Sequence, residues 1–357
     1  MCAQGRWVAL VSLVMATSAW ARSRDAGEVP RDRTEDLACL ECHGDKDSEA
    51  YLEDDATLST FVDAQVLSRS VHAEVDCTEC HTDLKGQGDK HKATPFANRR
   101  AVTLRYSEQC KECHFQNFTR SLDGVHAGLQ AKGKTEAAVC VDCHGAHDIG
   151  KAAEPRSRIS RTCAKCHEKI SKVYVMSVHG SALQETENPD VPSCTDCHRA
   201  HDIADPRQNA WRLETPQMCG RCHTDEKMMK KYGLSTAVLS SYLQDFHGTS
   251  VALQKGTGDK PVTALCTDCH GIHDISKVDA PGSKVMQANL AQTCRKCHPG
   301  SVSPDFPQAW LSHYQPTWER APLVWVVQKA YSVLIPIMIG SLILQIALHL
   351  WRVVANR

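Results

Sequence analysis

The sequence predicts a mostly α-helical, irregular and elongated chain that ends in one membrane-spanning helix. Three observations lead there. The string Cys-x-x-Cys-His occurs nine times in 357 residues. Roughly 300 residues lie between the chain's two ends, about 33 for each copy, too few to wrap every copy in a conventional apolar core. Finally, Ala330 to Trp351 contains no Asp, Glu, Lys or Arg. Gly and Pro between the copies favour loops over sheet.

Residues 1–21 read as a cleaved signal peptide. Basic Arg6 precedes an apolar stretch from Trp7 to Met15, and Ala19-Trp20-Ala21 supplies a small-x-small cleavage site. Cys2 leaves with it, and the mature chain begins at Arg22. The formal charge of the whole chain is -1, and losing Arg6 makes it -2. Such a balance excludes the strongly basic face that nucleic-acid binding requires.

Residues 22–298 hold the motifs: Cys39/Cys42/His43, Cys77/Cys80/His81, Cys110/Cys113/His114, Cys140/Cys143/His144, Cys163/Cys166/His167, Cys194/Cys197/His198, Cys219/Cys222/His223, Cys266/Cys269/His270 and Cys294/Cys297/His298. Two cysteines three apart on a helical turn face one side and can both form thioethers with one porphyrin, while the next residue aims an imidazole at its iron. Each copy is therefore a covalent haem c site, nine in all. Zinc sites or disulfides are the competing reading, yet a zinc ribbon does not need His after every Cys pair. The copies use 18 of the 19 cysteines, leaving only Cys2.

Of 19 histidines, ten lie outside the motifs. Nine precede the apolar segment, His72, His91, His126, His147, His179, His201, His247, His273 and His313, enough to give every iron a second axial ligand. The tenth, His349, lies inside that segment. A repeat organises most of them. In units 126–167, 179–223 and 247–298, a leading His is followed by Cys-x-Asp-Cys-His, a His-Asp-Ile string and a second motif. Unit 72–114 is a looser copy without His-Asp-Ile. Asp148, Asp202 and Asp274 follow their histidines directly and could orient the imidazole or cap a turn; the sequence leaves both open.

This motif density and the His-Asp-Ile repeat resemble the multihaem c-type cytochromes of bacterial anaerobic respiration. The likeness covers roughly residues 39 to 313. Among these, families with paired modules are nearest: decahaem periplasmic cytochromes and membrane-anchored quinol-dehydrogenase cytochromes. The resemblance implies electron transport in the periplasm, with a quinol pool or an inner-membrane partner subunit on one side and a periplasmic electron acceptor on the other.

A Pro-rich neck, 299–323, contains Pro299, Pro304, Pro307, Pro316 and Pro322 and separates the last motif from a transmembrane anchor, 324–352. The 22 uncharged residues from Ala330 to Trp351 would reach about 33 Å as a helix, enough to span a bilayer. Pro336 is expected to kink it. Trp310, Tyr314, Trp318 and Trp325 suit the membrane interface. With the haems outside the inner membrane, residues 353–357 form a cytoplasmic tail and the protein is single-pass. Ser341, Gln345 and His349 share one face, which points to a partner helix, or to a haem b or quinone held at His349 with another subunit.

Two functions compete: an electron conduit without a catalytic residue, or a reductase acting on a small oxyanion or nitrogen compound at one open iron. The ligand count favours the conduit, and bis-His ligation without Met favours low potentials. The mature chain is predicted to carry nine covalent haems by intact mass and pyridine haemochrome titration. Seven or fewer, with free thiols, would overturn the motif assignment.

Overall fold

The structure is a computed structural model that describes residues 34–87, 91–92, 94–254, 263–300, 302, 313, 317–319 and 321–356. The signal peptide with Cys2, the mature start at Arg22, Trp310, Tyr314 and most of the neck lie outside the described residues.

The chain is mostly helical, as expected. Helix Thr34–His43 ends on the first motif. One element departs from the loops expected between motifs: an antiparallel hairpin of β1 (Glu49–Tyr51) and β2 (Thr57–Ser59), with Ala50 opposite Leu58. It folds back on the first motif. Val62 N–H donates to His43 O at 2.7 Å, and the His43 ring nitrogen Nδ1 lies 2.9 Å from Thr60 O.

After the hairpin the helices repeat with the motifs. The leading histidines His126, His179 and His247 are each the second residue of a helix, Val125–Gln130, Val178–Thr186 and Phe246–Gln254. Each unit's first motif then forms a short helix of its own, Cys140–His144, Cys194–His198 and Cys266–His270. Its Asp accounts for that start. Asp142, Asp196 and Asp268 sit in the first turn and accept from the backbone N–H of Val139, Ser193 and Leu265 at 2.8, 2.6 and 2.9 Å, which satisfies a donor the helix leaves free.

Second motifs are built differently. Helix Thr215–His223 carries Cys219 and Cys222 to its end, but helix Ser157–Ala164 ends inside Cys163 to His167, and Gln287–Arg295 ends inside Cys294 to His298. Cys166 and Cys297 therefore lie two residues past their helices. Their N–H groups turn back to Cys163 O at 3.2 Å and Cys294 O at 3.1 Å, the tighter three-residue spacing of a helix end. Cys110 lies in a 3₁₀ helix, Glu108–Glu112. A full α-helical turn under every cysteine pair, as the spacing suggested, holds for some motifs only. The shared requirement is that both sulfurs face one side, which a helix end also meets.

Units are stitched to one another by backbone. Val71, Val125 and Val178, each just before a leading histidine, donate to Ile149, Ile203 and Ile275 at 2.8, 2.8 and 2.9 Å. The Ile of each His-Asp-Ile string thus holds the leading histidine of the preceding unit. Close packing also constrains the backbone just after two leading histidines, His179 and His247. A Cβ on Gly180 or Gly248 would stand 2.0 Å from the carbonyl oxygen of Tyr174 or Tyr242, so only glycine allows this approach.

Apolar packing is thin. Among the described residues one buried cluster forms, Leu213, Tyr242, Val251 and Leu265 with Leu243 against it. The C-terminal helix, Pro322–Ala355, runs 34 residues and continues through Pro336. At about 1.5 Å per residue it is roughly 51 Å long, longer than a hydrocarbon core. It contains the whole expected anchor, and the rest of the chain buries none of its side chains. Ser341 satisfies its hydroxyl within the helix, donating to Met338 O at 2.8 Å, which leaves Gln345 and His349 as the polar members of the stripe.

The residue after the first-motif histidine takes a backbone conformation that strongly favours glycine: Gly145 at φ 84° and ψ -173°, Gly271 at φ 89° and ψ 177°. In the middle unit Arg199 occupies it at φ 63° and ψ 179°. Such a residue costs on the order of 1–3 kcal/mol. Arg199 recovers part of this through Asp202 at 3.0 Å, an exposed pair worth about 1 kcal/mol at most. Arg199→Gly is expected to raise the thermal midpoint of the haem-loaded protein by about 2 °C. A lowered midpoint would show that the ion pair outweighs the strain.

Candidate haem sites

Nine pairs of histidines face one another, and every pair joins one motif histidine to one of the nine outside the motifs. Ring centroids are 6.1 Å apart for His43 and His91, 6.2 Å for His81 and His147, and 5.9 Å for His114 and His72. The next three are His144 with His201 at 6.2 Å, His167 with His126 at 6.3 Å, and His198 with His273 at 6.0 Å. The last three are His223 with His179 at 6.3 Å, His270 with His313 at 6.1 Å, and His298 with His247 at 6.4 Å. Rings in van der Waals stacking would stand closer.

The gap has the size of a coordinated metal. An imidazole nitrogen sits about 2.0 Å from a bound transition metal and about 1.1 Å from its own ring centre, so two imidazoles on one ion place their centroids about 6.2 Å apart. Every pair lies within a few tenths of that value. Burial lowers several of these rings towards the neutral form, the one that offers a lone pair. His179 falls to about 4 through burial and the facing His223. Burial likewise lowers His81, His144, His198, His270 and His313.

The pairing is not confined within units. A leading histidine, His72, His126, His179 or His247, faces the second motif of its own unit. The histidine of His-Asp-Ile faces backwards, to the first motif of the unit before: His147 to His81, His201 to His144, His273 to His198. His91 does the same for the lone first motif and His313 for the last unit. Counting spare histidines per unit could not reveal this exchange.

The eighteen motif cysteines form no disulfide with one another, and their sulfurs order the sites in sequence. Hydrogen-bonding contacts join Cys77 to Cys39, Cys110 to Cys140, Cys163 to Cys194 and Cys219 to Cys266. The remaining neighbours are within electrostatic reach, Cys80 of Cys113, Cys143 of Cys163, Cys197 of Cys219 and Cys269 of Cys294. Each motif thus adjoins the next from the first to the ninth.

The two cysteines of a motif do not share one environment, although the spacing treats them alike. The hydrogen-bonded sulfur contacts are all made by first cysteines, Cys39, Cys77, Cys110, Cys140, Cys163, Cys194, Cys219 and Cys266. Cys42, Cys166 and Cys297 are exposed and Cys222 is half-buried. Cys42 and Cys222 occupy the last turn of their helices, while Cys166 and Cys297 lie beyond theirs. Cys222 is within electrostatic reach of Cys197, and Cys297 of Cys269, so these two thiols look back to the preceding motif.

Of the two roles open to the His-Asp-Ile aspartates, the structure favours the turn. Asp274 accepts from Ile272 N–H at 3.1 Å and from Lys284 at 2.7 Å, and Asp202 pairs with Arg120 and Arg199. The Asp148 carboxylate lies where a side chain on Gly145 would go. Among the described residues no hydrogen bond joins these carboxylates to an imidazole.

Several neighbours carried no signal in the sequence. Arg100, Arg156 and Arg212 reach Asp142, Asp196 and Asp268 of the motif helices at 2.8, 2.7 and 3.3 Å, tying each first motif to chain that precedes it. Only the threefold Asp of Cys-x-Asp-Cys-His hinted at them. Trp211 lies nearly parallel to His198, 5.4 Å away. Tyr106 is 4.4 Å from His81 and donates to Asp83; burial and that carboxylate push its hydroxyl up to about 12. His349 makes no ring contact among the described residues.

Comparison with known proteins follows the same lines. Residues 132–224 match the family model described as Cytochrome c3. The chain is also 21% identical over 187 residues to the cytochrome c-type protein NrfB of Escherichia coli O6:H1 (strain CFT073), covering 48% of this chain and 90% of that protein. No solved structure matches. Cys-x-x-Cys-His strings backed by facing imidazoles, in a chain similar to Cytochrome c3 over about a quarter of its length and to a cytochrome c-type protein over a little under half, are consistent with a multihaem c-type cytochrome, an electron-transfer protein with covalently bound haem c.

Proposed function

We propose that the chain is a nine-haem electron conduit, anchored in the bacterial inner membrane by its C-terminal helix, that passes electrons between the membrane and a periplasmic acceptor. The observation that carries this is the count and geometry of the imidazole pairs: each of the nine motif histidines faces its own partner across an iron-sized gap. Bound haem c supplies a one-electron iron couple. The motif histidine and its facing partner would hold each iron between them, which would close it to substrate and favour a low potential. Histidine pairs spread along a sequence-ordered array suit relay, not turnover at one iron.

Oxidised, haem-loaded protein is expected to show only low-spin iron by electron paramagnetic resonance. A stoichiometric high-spin haem would instead favour a reductase acting on a small oxyanion or nitrogen compound.

The helix Pro322–Ala355 supports the membrane assignment, being fully exposed along its apolar length. Its Gln345 and His349 would face lipid in an isolated helix, at about 1–2 kcal/mol for polar groups there. A membrane partner subunit on that face, with quinone or haem b at His349, removes the cost. Replacing both residues by Leu keeps the helix apolar and is expected to abolish copurification of the partner and slow quinol-driven haem reduction in membranes. If neither changes, the helix is a tether alone.

A further inference from the structure

The nine imidazole pairs divide by the angle between their ring planes. Five are near parallel: His43 and His91 at 9°, His81 and His147 at 24°, His144 and His201 at 21°, His198 and His273 at 21°, His270 and His313 at 26°. Four are clearly tilted: His72 and His114 at 34°, His126 and His167 at 36°, His179 and His223 at 50°, His247 and His298 at 51°. Chain direction sorts them without exception. Where the outside histidine follows its motif the rings are near parallel; where it precedes its motif they are tilted.

Local structure goes with the division for three of the four tilted pairs, His72 lying in a turn instead. His126, His179 and His247 stand in the first turn of a helix, where the backbone fixes the direction of Cα–Cβ and restricts χ1. His147, His201 and His273 stand instead in the turn that follows Gly145, Arg199 and Gly271 with their positive φ. His91 and His313 lack the Asp-Ile string, yet they follow their motifs and fall in the parallel class.

Ring angle matters to a ferric low-spin iron because each imidazole donates π density into the iron d orbital perpendicular to its plane. Parallel rings donate into one of two otherwise equal orbitals, split them, and stabilise the ferric state, whose unpaired electron occupies the raised orbital. Tilted rings share the donation, leave the pair closer in energy, and lose part of that stabilisation. Axial ligation is one of the protein's means of setting haem electronics.

We propose that the sites form two electronic classes which alternate along the array, and that electrons rest on the four tilted sites, at Cys110–His114, Cys163–His167, Cys219–His223 and Cys294–His298, while the near-parallel sites bridge them. Apart from the first two motifs, both near parallel, the classes alternate strictly in sequence order. The proposal rests on the facing histidines being the iron ligands, as in the proposed function.

The test is electron paramagnetic resonance of the full-length, haem-loaded protein during a redox titration. Five irons should give ordinary rhombic low-spin signals and four should give signals of large anisotropy at low field, with the second group lost first on reduction. His247→Met should remove one of the four and His313→Met one of the five. A single low-spin class, or loss of the rhombic group first or together with the other, overturns the proposal while leaving bis-His ligation intact. A high-spin signal in the unmodified protein would instead overturn the ligand assignment beneath it.

Discussion

Everything in this structure depends on imidazoles meeting across the width of one metal ion. The helices are short, most of them four to ten residues, and helices of that length are not stable alone in water. Apolar burial is confined to a small cluster and scattered side chains. At each site a pair of histidines separated by tens of residues comes together, and under the proposed ligation the free energy that holds such a pair would be released when the metal group binds. As in small metal-binding domains, loading and folding are then one equilibrium.

The direction of pairing turns separate modules into one array. A unit that completed all its own sites would touch its neighbours only through surface. Here each first motif is closed by the following unit, and the Ile carbonyl beside that closing histidine also holds the backbone before the leading histidine. Histidine pairing and backbone hydrogen bonding thus cross the same boundary together. Arg100, Arg156 and Arg212 tie the first-motif helices to preceding chain. Such nearest-neighbour coupling is the logic of repeat proteins, whose end units differ from the rest. Here the ends are the hairpin β1–β2 with His91 and, on the other side, His313.

His313 also links the two parts of the chain that the sequence keeps apart. It faces His270 and stands nine residues before Pro322, the first residue of the long apolar helix. The histidine facing the last unit's first motif therefore belongs to the segment leading to the long apolar helix. The partly exposed Trp318 meets Trp325 at 5.7 Å, with Lys329 over the latter ring, a grouping of aromatic and cationic side chains suited to a lipid interface.

The sequence by itself determined what is encoded at short range. Cysteine and histidine spacing within a helical turn marks each attachment site, the absence of charge over 22 residues marks the apolar helix, and nine histidines outside the motifs match nine within them. It also made a thin apolar core necessary. Tertiary structure alone decided which histidine meets which, because the partners are chosen by the path of the chain over tens of residues and not by neighbouring letters. It likewise decided that His-Asp-Ile serves the preceding unit, that Asp202 and Asp274 secure turns, that three arginines find the motif aspartates, and that a hairpin seats the first motif. Where a helix stops inside a motif, as before Cys166 and Cys297, is set by packing of the same kind. The tilt of each ring pair belongs to this category too: it goes with whether the outside histidine precedes or follows its motif, and the angle itself is a geometric fact that spacing and composition do not contain.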